Sequence, residues 1–183
     1  MFNLITNSPL EEKILLLISE PILALKFEIV RVSYSVNNLP KLQILIEGTN
    51  GKIEISDCAK ISTIISTILD VEDPIETEYT LEVSSPGINR PLTRIKDIKK
   101  WAGYNIKLKT FEEIGGRNEF FGMLDGLEKN ELLLEIKQGI IGIELDWIEE
   151  IKLNLTNKQI LESAKTSSPV HEQDFDRIET TFL

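Results

Sequence analysis

The run Tyr79-Thr80-Leu81-Glu82-Val83-Ser84-Ser85-Pro86-Gly87-Ile88-Asn89-Arg90-Pro91-Leu92 divides the chain into two differently built parts. Up to Ser84 it reads as a strand. Pro86-Gly87 then suits the central positions of a type II turn, proline fixing its own φ and glycine accepting φ > 0. Pro91 pushes Arg90 toward an extended conformation. With both prolines in place few dihedrals stay free, so the connector is expected to hold the flanking domains in a limited range of orientations. It also brings Ser84, Ser85, Asn89, Arg90, Thr93 and Arg94 close together, a set of donors and acceptors suited to a polar partner.

On the N-terminal side, Ser8-Pro9-Leu10-Glu11 marks a helix start, with Ser8 as cap, Pro9 at the first helical position and Glu11 completing a capping box. Leu10, Ile14, Leu17 and Ile18 follow at helical spacing, which predicts an amphipathic helix over 9–25 that Pro21 should kink or end. From Phe27 the period changes to two. Phe27, Ile29, Arg31, Ser33 and Ser35 alternate with Glu28, Val30, Val32, Tyr34 and Val36. Asn37-Asn38-Leu39-Pro40 turns the chain into a second strand, Leu42 to Ile46, forming a hairpin. After a reversal at Gly48-Thr49-Asn50-Gly51, Ser56 or Asp57 caps a second helix bearing Ile61, Ile64, Ile65 and Ile68 on one face. With the strand Tyr79 to Ser84 the order is α-β-β-α-β, two helices over one face of a small sheet. Cys58, in the first turn of the second helix, reads as a small buried residue.

Beyond Gly87 the pattern is of short strands, 104–110, 119–127, 131–137, 140–145 and 149–155, separated by Gly115-Gly116, Lys129-Asn130 and Gln138-Gly139. Such spacing predicts a small closed barrel, with Gly122 and Gly126 permitting a sharp bend. Arg94 to Trp101 reads as a short helical turn leading into it. The domains expected are therefore 1–88, an N-terminal α+β domain, 89–155, a β-barrel, and 156–183, a tail. That tail carries a Thr-Ser-Ser-Pro cluster, a helical start near Lys158 to Lys165 and a flexible acidic end.

Composition narrows the function. The chain has 183 residues and a net charge of −10, but 86–110 carries Arg90, Arg94, Lys96, Lys99, Lys100, Lys107 and Lys109 against the single acid Asp97. A basic belt thus interrupts an acidic molecule, which disfavours a general nucleic-acid coat. It fits a docking patch that steers toward a mixed RNA–protein surface, unless neighbouring carboxylates simply balance it. Under the docking reading, reversing Arg90 and Arg94 to Glu should abolish association and leave the fold intact. One cysteine excludes an internal disulfide and a thiol-rich zinc site, and one histidine, His171 in the tail, excludes any mechanism needing two imidazoles. Ser84 or Ser85 as a nucleophile has no base nearby. Glu149-Glu150 and Glu112-Glu113 are adjacent, so on a strand they point to opposite faces. Glycine-rich phosphate loops are absent. The expectation is no enzyme, no catalytic residue, no cofactor and no metal. The longest apolar run, Ile14 to Ile18, is far short of a membrane span, and no Lys or Arg precedes Lys13 as a secretory signal would need. A cytoplasmic protein is expected.

Leu81-Glu82-Val83-Ser84-Ser85-Pro86-Gly87 followed by Arg90-Pro91-Leu92 resembles the signature of the RimP family of bacterial ribosome maturation factors. Ile55 to Ser62 and Leu69-Asp70 resemble its second helix. Gly103-Tyr104-Asn105-Ile106, Phe121-Gly122-Met123-Leu124 and Ile148-Glu149-Glu150-Ile151 resemble its barrel strands. The likeness covers about residues 9–155. The chain departs from the family pattern at Asn89, where an acid is usual, and at Met123, where a basic or polar residue is usual.

The resemblance implies an SH3-like (Sm-like) barrel behind the α+β domain. It also implies a non-catalytic assembly chaperone that binds the immature small (30S) ribosomal subunit, ribosomal protein and rRNA together, as a monomer without membrane or small-molecule substrate. Candidate binding residues are Ser84, Ser85, Asn89, Arg90, Thr93, Arg94, Lys99, Lys100, Glu149 and Glu150. The belt would meet RNA phosphate, and Glu144, Asp146, Glu149 and Glu150 would meet basic protein extensions. The alternative is a stand-alone Sm-like RNA-binding module, stacking bases on Trp101, Tyr104 and Phe111 beside basic residues, although barrel core is the first expectation for those aromatics.

Overall fold

The computed structural model describes residues 2–36, 39–156, 159–160 and 178–181. It divides into two compact units, one built from residues 5–86 with 178–181, the other from 2–4 with the described residues between 87 and 160. Asn37 and Asn38 of the expected turn, the Thr166–Pro169 cluster, His171 and most of the expected Lys158–Lys165 helix lie outside the described residues.

The first unit begins with α1 (Pro9–Ala24). Ser8 is extended and its hydroxyl accepts the Glu11 N–H at 3.3 Å, so the cap is the expected one. The helix runs past Pro21 to Ala24, burying Ile14, Ile18 and Ile22 completely. A proline so near the helix end forfeits one backbone bond, and the buried Ile22 keeps the last turn in place. The Glu11 carboxylate reaches beyond the helix. It accepts the Asn7 N–H at 2.5 Å and the Tyr34 N–H at 2.8 Å.

Tyr34 belongs to β1 (Phe27–Ser35), antiparallel to β2 (Lys41–Gly48). The alternation read from the sequence fails halfway along β1, because a bulge between Ile29 and Arg31 inserts a residue and reverses the phase. Ile29 and Val32 therefore share the core, on what strict alternation makes opposite faces. β1 is the edge of its sheet, and Glu11 together with the Val32 N–H to Ile5 O bond (2.8 Å) occupies donors that would otherwise be open.

α2 (Ile55–Glu72) starts earlier than expected. Its cap is Glu54, and Asp57, at the third helical position, accepts the Glu54 N–H at 3.0 Å. Cys58 is buried in its first turn. β3 (Thr80–Ser84) lies parallel to β2, as a strand after a crossover helix should. Ile14, Ile18, Ile61 and Ile65 from the two helices pack with Ile44 and Leu81 from the sheet. A fourth strand completes the order β1-β2-β3-β9: β9 (Ile178–Thr181) pairs antiparallel with β3.

The second unit has a short helix, α3 (Ile95–Lys100), and the strands β4 (Asn105–Ile114), β5 (Arg117–Glu128), β6 (Glu131–Ile136), β7 (Gly139–Glu144) and β8 (Ile148–Leu153). All neighbours are antiparallel, in the order β7-β6-β5-β4-β8. The closed barrel expected from the sequence is not what forms among the described residues, where no ladder joins β7 to β8. A 3-10 turn, Leu145–Trp147, separates the two, and Arg90–Leu92 occupies the far side of β8. The Leu92 N–H donates to Ile151 O and the Leu153 N–H to Arg90 O, both at 2.9 Å, with Pro91 bridged to Lys152. Leu92, Ile98, Leu108, Leu124 and Leu134 form the core, joined by Leu4, whose N–H donates to Thr93 O at 2.9 Å.

Two glycines shape β5. Gly126 sits at φ +149 beside the bulge between Leu124 and Gly126, a conformation that disfavours a side chain. At Gly122 space is the constraint, since a Cβ there would lie 2.3 Å from the Glu135 carbonyl oxygen.

Candidate functional site

The belt seen in the sequence is organised around its one acid. Asp97 occupies the third position of α3 and is 2% exposed. Its Oδ1 accepts Arg90 Nη2 at 3.0 Å and Arg94 Nη2 at 2.8 Å. Its Oδ2 accepts Arg94 Nε at 2.9 Å and the backbone N–H groups of Arg94 at 3.1 Å and Thr93 at 3.3 Å. A carboxylate at the start of a helix also meets the positive end of the helix dipole. Burial of three charged groups is tolerable only with this degree of mutual satisfaction.

The consequence alters the role of two candidate residues. Arg90 is buried and Arg94 largely so, both turned onto Asp97. Reversing them to Glu, expected above to spare the fold, would gather three carboxylates in one buried place. Thr93, 1% exposed, belongs to the same cluster through its backbone. The signal that could have revealed this was in the sequence. A single acid among seven bases, three residues into a helix, is where a capping carboxylate stands.

What the cluster leaves outward is the other side of α3. Lys96, Lys99 and Lys100 are exposed, and Lys100 Nζ stands 5.7 Å from the centre of the Trp101 ring. Two of these lysines lie in the last turn, where a cation suits the helix dipole. Asn89 is exposed on the turn just before Arg90. Gly87 has φ +64, as a glycine after a proline in such a turn requires. Ser84 and Ser85 belong to the first unit, Ser84 at the end of β3 and both half-buried.

Glu149 and Glu150 sit apart from α3, on β8. Glu149 pairs with Lys109 on β4, Oε2 to Nζ 2.9 Å, and Glu150 with Lys152 at 3.0 Å. The Glu149 hydrogen bond, and then its charge, raise the Lys109 pKa above its ordinary value, with burial opposing. Half the acidic patch is thus matched locally, while Glu144 and Asp146 remain exposed.

The aromatics separate. Trp101 and Tyr104 are half-buried against the core and meet edge to face at 5.2 Å, in line with a core role. Phe111 does not follow them, being 66% exposed. Alternation along its strand buries Ile106, Leu108 and Thr110 and so puts Phe111 outside. Phe121 is likewise outward, with Lys107 Nζ 5.4 Å from its ring centre.

Among the described residues there is no group of three side chains suited to holding a metal ion, and no helix long and apolar enough to cross a membrane. Residues 17–89, from within α1 to the turn after β3, match the family model described as the RimP N-terminal domain.

Proposed function

We propose, from the premise that this chain belongs to the RimP family of ribosome maturation factors, that it binds the immature small (30S) ribosomal subunit in the cytoplasm and assists its assembly without catalysis. The observation that carries the reading is the Asp97 cluster. It fixes the segment 90–97 as a rigid frame and presents Lys99 and Lys100 outward from an otherwise acidic molecule. Cations on a fixed frame lose little freedom on meeting phosphate, while surrounding acids repel bare RNA.

In this reading Lys99, Lys100 and Asn89 touch the partner, and Arg90, Thr93 and Arg94 hold them in position. Ser84 and Ser85 offer hydroxyl contacts from the first unit. Glu144 and Asp146, with Glu149 and Glu150 beside them, suit basic extensions of a ribosomal protein. The strand order β7-β6-β5-β4-β8, with its bulged β5, supports an SH3-like (Sm-like) second domain. The protein acts as a monomer and needs no cofactor or small-molecule substrate. Sedimentation of cell extract tests the proposal. The protein should travel with free small subunits and their precursors and be missing from joined ribosomes; equal presence in polysomes would overturn it.

A second reading, an RNA-binding Sm-like module, draws on the exposed Phe121 under Lys107 and on exposed Phe111, an arrangement able to stack bases. It requires tight binding to bare oligonucleotides with a steep dependence on salt.

A further inference from the structure

Strand β7 ends the second sheet on one side, and among the described residues no ladder covers its outer edge. Its six residues pair with β6 in unbroken register, from Glu131↔Glu144 to Ile136↔Gly139. About half of their backbone N–H and C=O groups therefore point away from the sheet. Soluble proteins normally blunt such an edge with proline, lysine or a bulge. Gly139-Ile140-Ile141-Gly142-Ile143-Glu144 has none of these, and Ile140 is 60% exposed.

Beside the edge lies a cleft. The β4–β5 hairpin turns through Gly115 and Gly116, both at positive φ. Its end and β7 form the two sides of a space of about 430 Å³ lined by Ile114, Phe120, Ile141 and Ile143. Arg117 lines it too, with its guanidinium carbon 4.8 Å from the centre of the Phe120 ring. Arg117 is exposed and makes no ion pair among the described residues, whereas Lys107, Lys109 and Lys152 on the neighbouring strands each hold a glutamate. A guanidinium stacked on a ring keeps its fork of N–H donors available in its own plane.

We infer that the β7 edge and this cleft form a docking site for an extended segment of a partner protein. The segment adds a strand to β7, lays alternate apolar side chains beside Ile141 and Ile143, and sets a carboxylate on Arg117. Open backbone groups call for another backbone, the cleft for an apolar residue at every second position, and Arg117 for an anion. A second copy of β7 fits less well, because its one carboxylate, Glu144, alternates away from Ile141 and Ile143. The site goes beyond the function proposed above and does not depend on it.

Amide hydrogen exchange on the full chain tests the inference, with three acetylated and amidated peptides of alternating valine and threonine. They differ only in carrying glutamate, glutamine or lysine at the end of the valine face. The glutamate peptide should slow exchange at residues 139–144 and bind about 5–10-fold more tightly than the lysine peptide, with the glutamine peptide between them. Arg117→Glu, a change at an exposed position, should reverse that order. No protection at about 1 mM peptide, equal binding by all three, preference of the unmodified protein for lysine, or an order unchanged by Arg117→Glu would each overturn the inference. So would protection that grows with protein concentration in the absence of peptide, which would give the edge to a second copy of the chain.

Discussion

Arg90 and Asp97 meet at 3.0 Å in the interior of the second unit, each almost wholly removed from water. The pair links the segment beside β8 to the first turn of α3, and Arg94 shares the same carboxylate. Removing Asp97 would take from one buried and one largely buried guanidinium group the carboxylate they share. Asp97→Ala should therefore cost about 3–5 kcal/mol, read as a lowered midpoint in urea with an unchanged slope. Arg90→Glu combined with Arg94→Glu should be at least as damaging, and loss of subunit association in that variant would report unfolding.

Lys99 and Lys100 provide the clean test of the cationic face. Both are exposed, so Lys99→Glu with Lys100→Glu should cost only about 1 kcal/mol per site, mostly from reversing charges that suit the end of the helix. Co-sedimentation with small-subunit precursors should fall sharply. Unchanged co-sedimentation by a fully folded variant would remove α3 from the proposed interface.

Gly122 is fixed by space. A methyl group there would press within 2.3 Å of the Glu135 carbonyl, a backbone atom paired within the sheet. Gly122→Ala should destabilise by about 1–3 kcal/mol through overpacking, visible in thermal melting of the full chain.

Alkaline pH should loosen the protein at two identified places. Burial, then Asp70, Asp73 and Tyr34, raise the Tyr79 pKa above its ordinary 10.0. A group whose folded pKa lies above the unfolded value stabilises fully below the latter and loses that contribution as pH climbs through the former. The Tyr79 contribution is therefore complete below pH 10.0 and fades above it, and that of Lys109, raised from 10.5 by Glu149, is complete below 10.5 and likewise fades above it. Phenolate absorbance in an alkaline titration should show a late component that disappears in Tyr79→Phe.

Locally encoded features were legible in the sequence. Ser8 and Pro9 announce α1, the isoleucine stripe announces α2, and turn residues mark the strands of the second unit. What escaped depends on partners distant in sequence or on a shift of register. Glu11 looks like a capping residue, yet its carboxylate also takes a donor from β1, 23 positions away. The bulge after Ile29 reverses a phase that strict alternation assigns with assurance. The belt was visible as charge, but its division into two inward arginines and outward lysines depended on Asp97, whose burial no composition count reveals. β9 is a short acidic segment without a strong strand pattern, and only the open edge of β3 gives it a reason to pair.

Each unit borrows a piece from the opposite end of the polypeptide. Leu4 is sealed among residues translated much later, and the sheet begun at Phe27 gains its last strand from Ile178–Thr181. A nascent chain emerging from the N-terminus onward can assemble β1, β2 and β3 early. It must then wait until residues 178–181 have been made before β3 is covered, so products that stop short of them would display a sticky, unfinished edge.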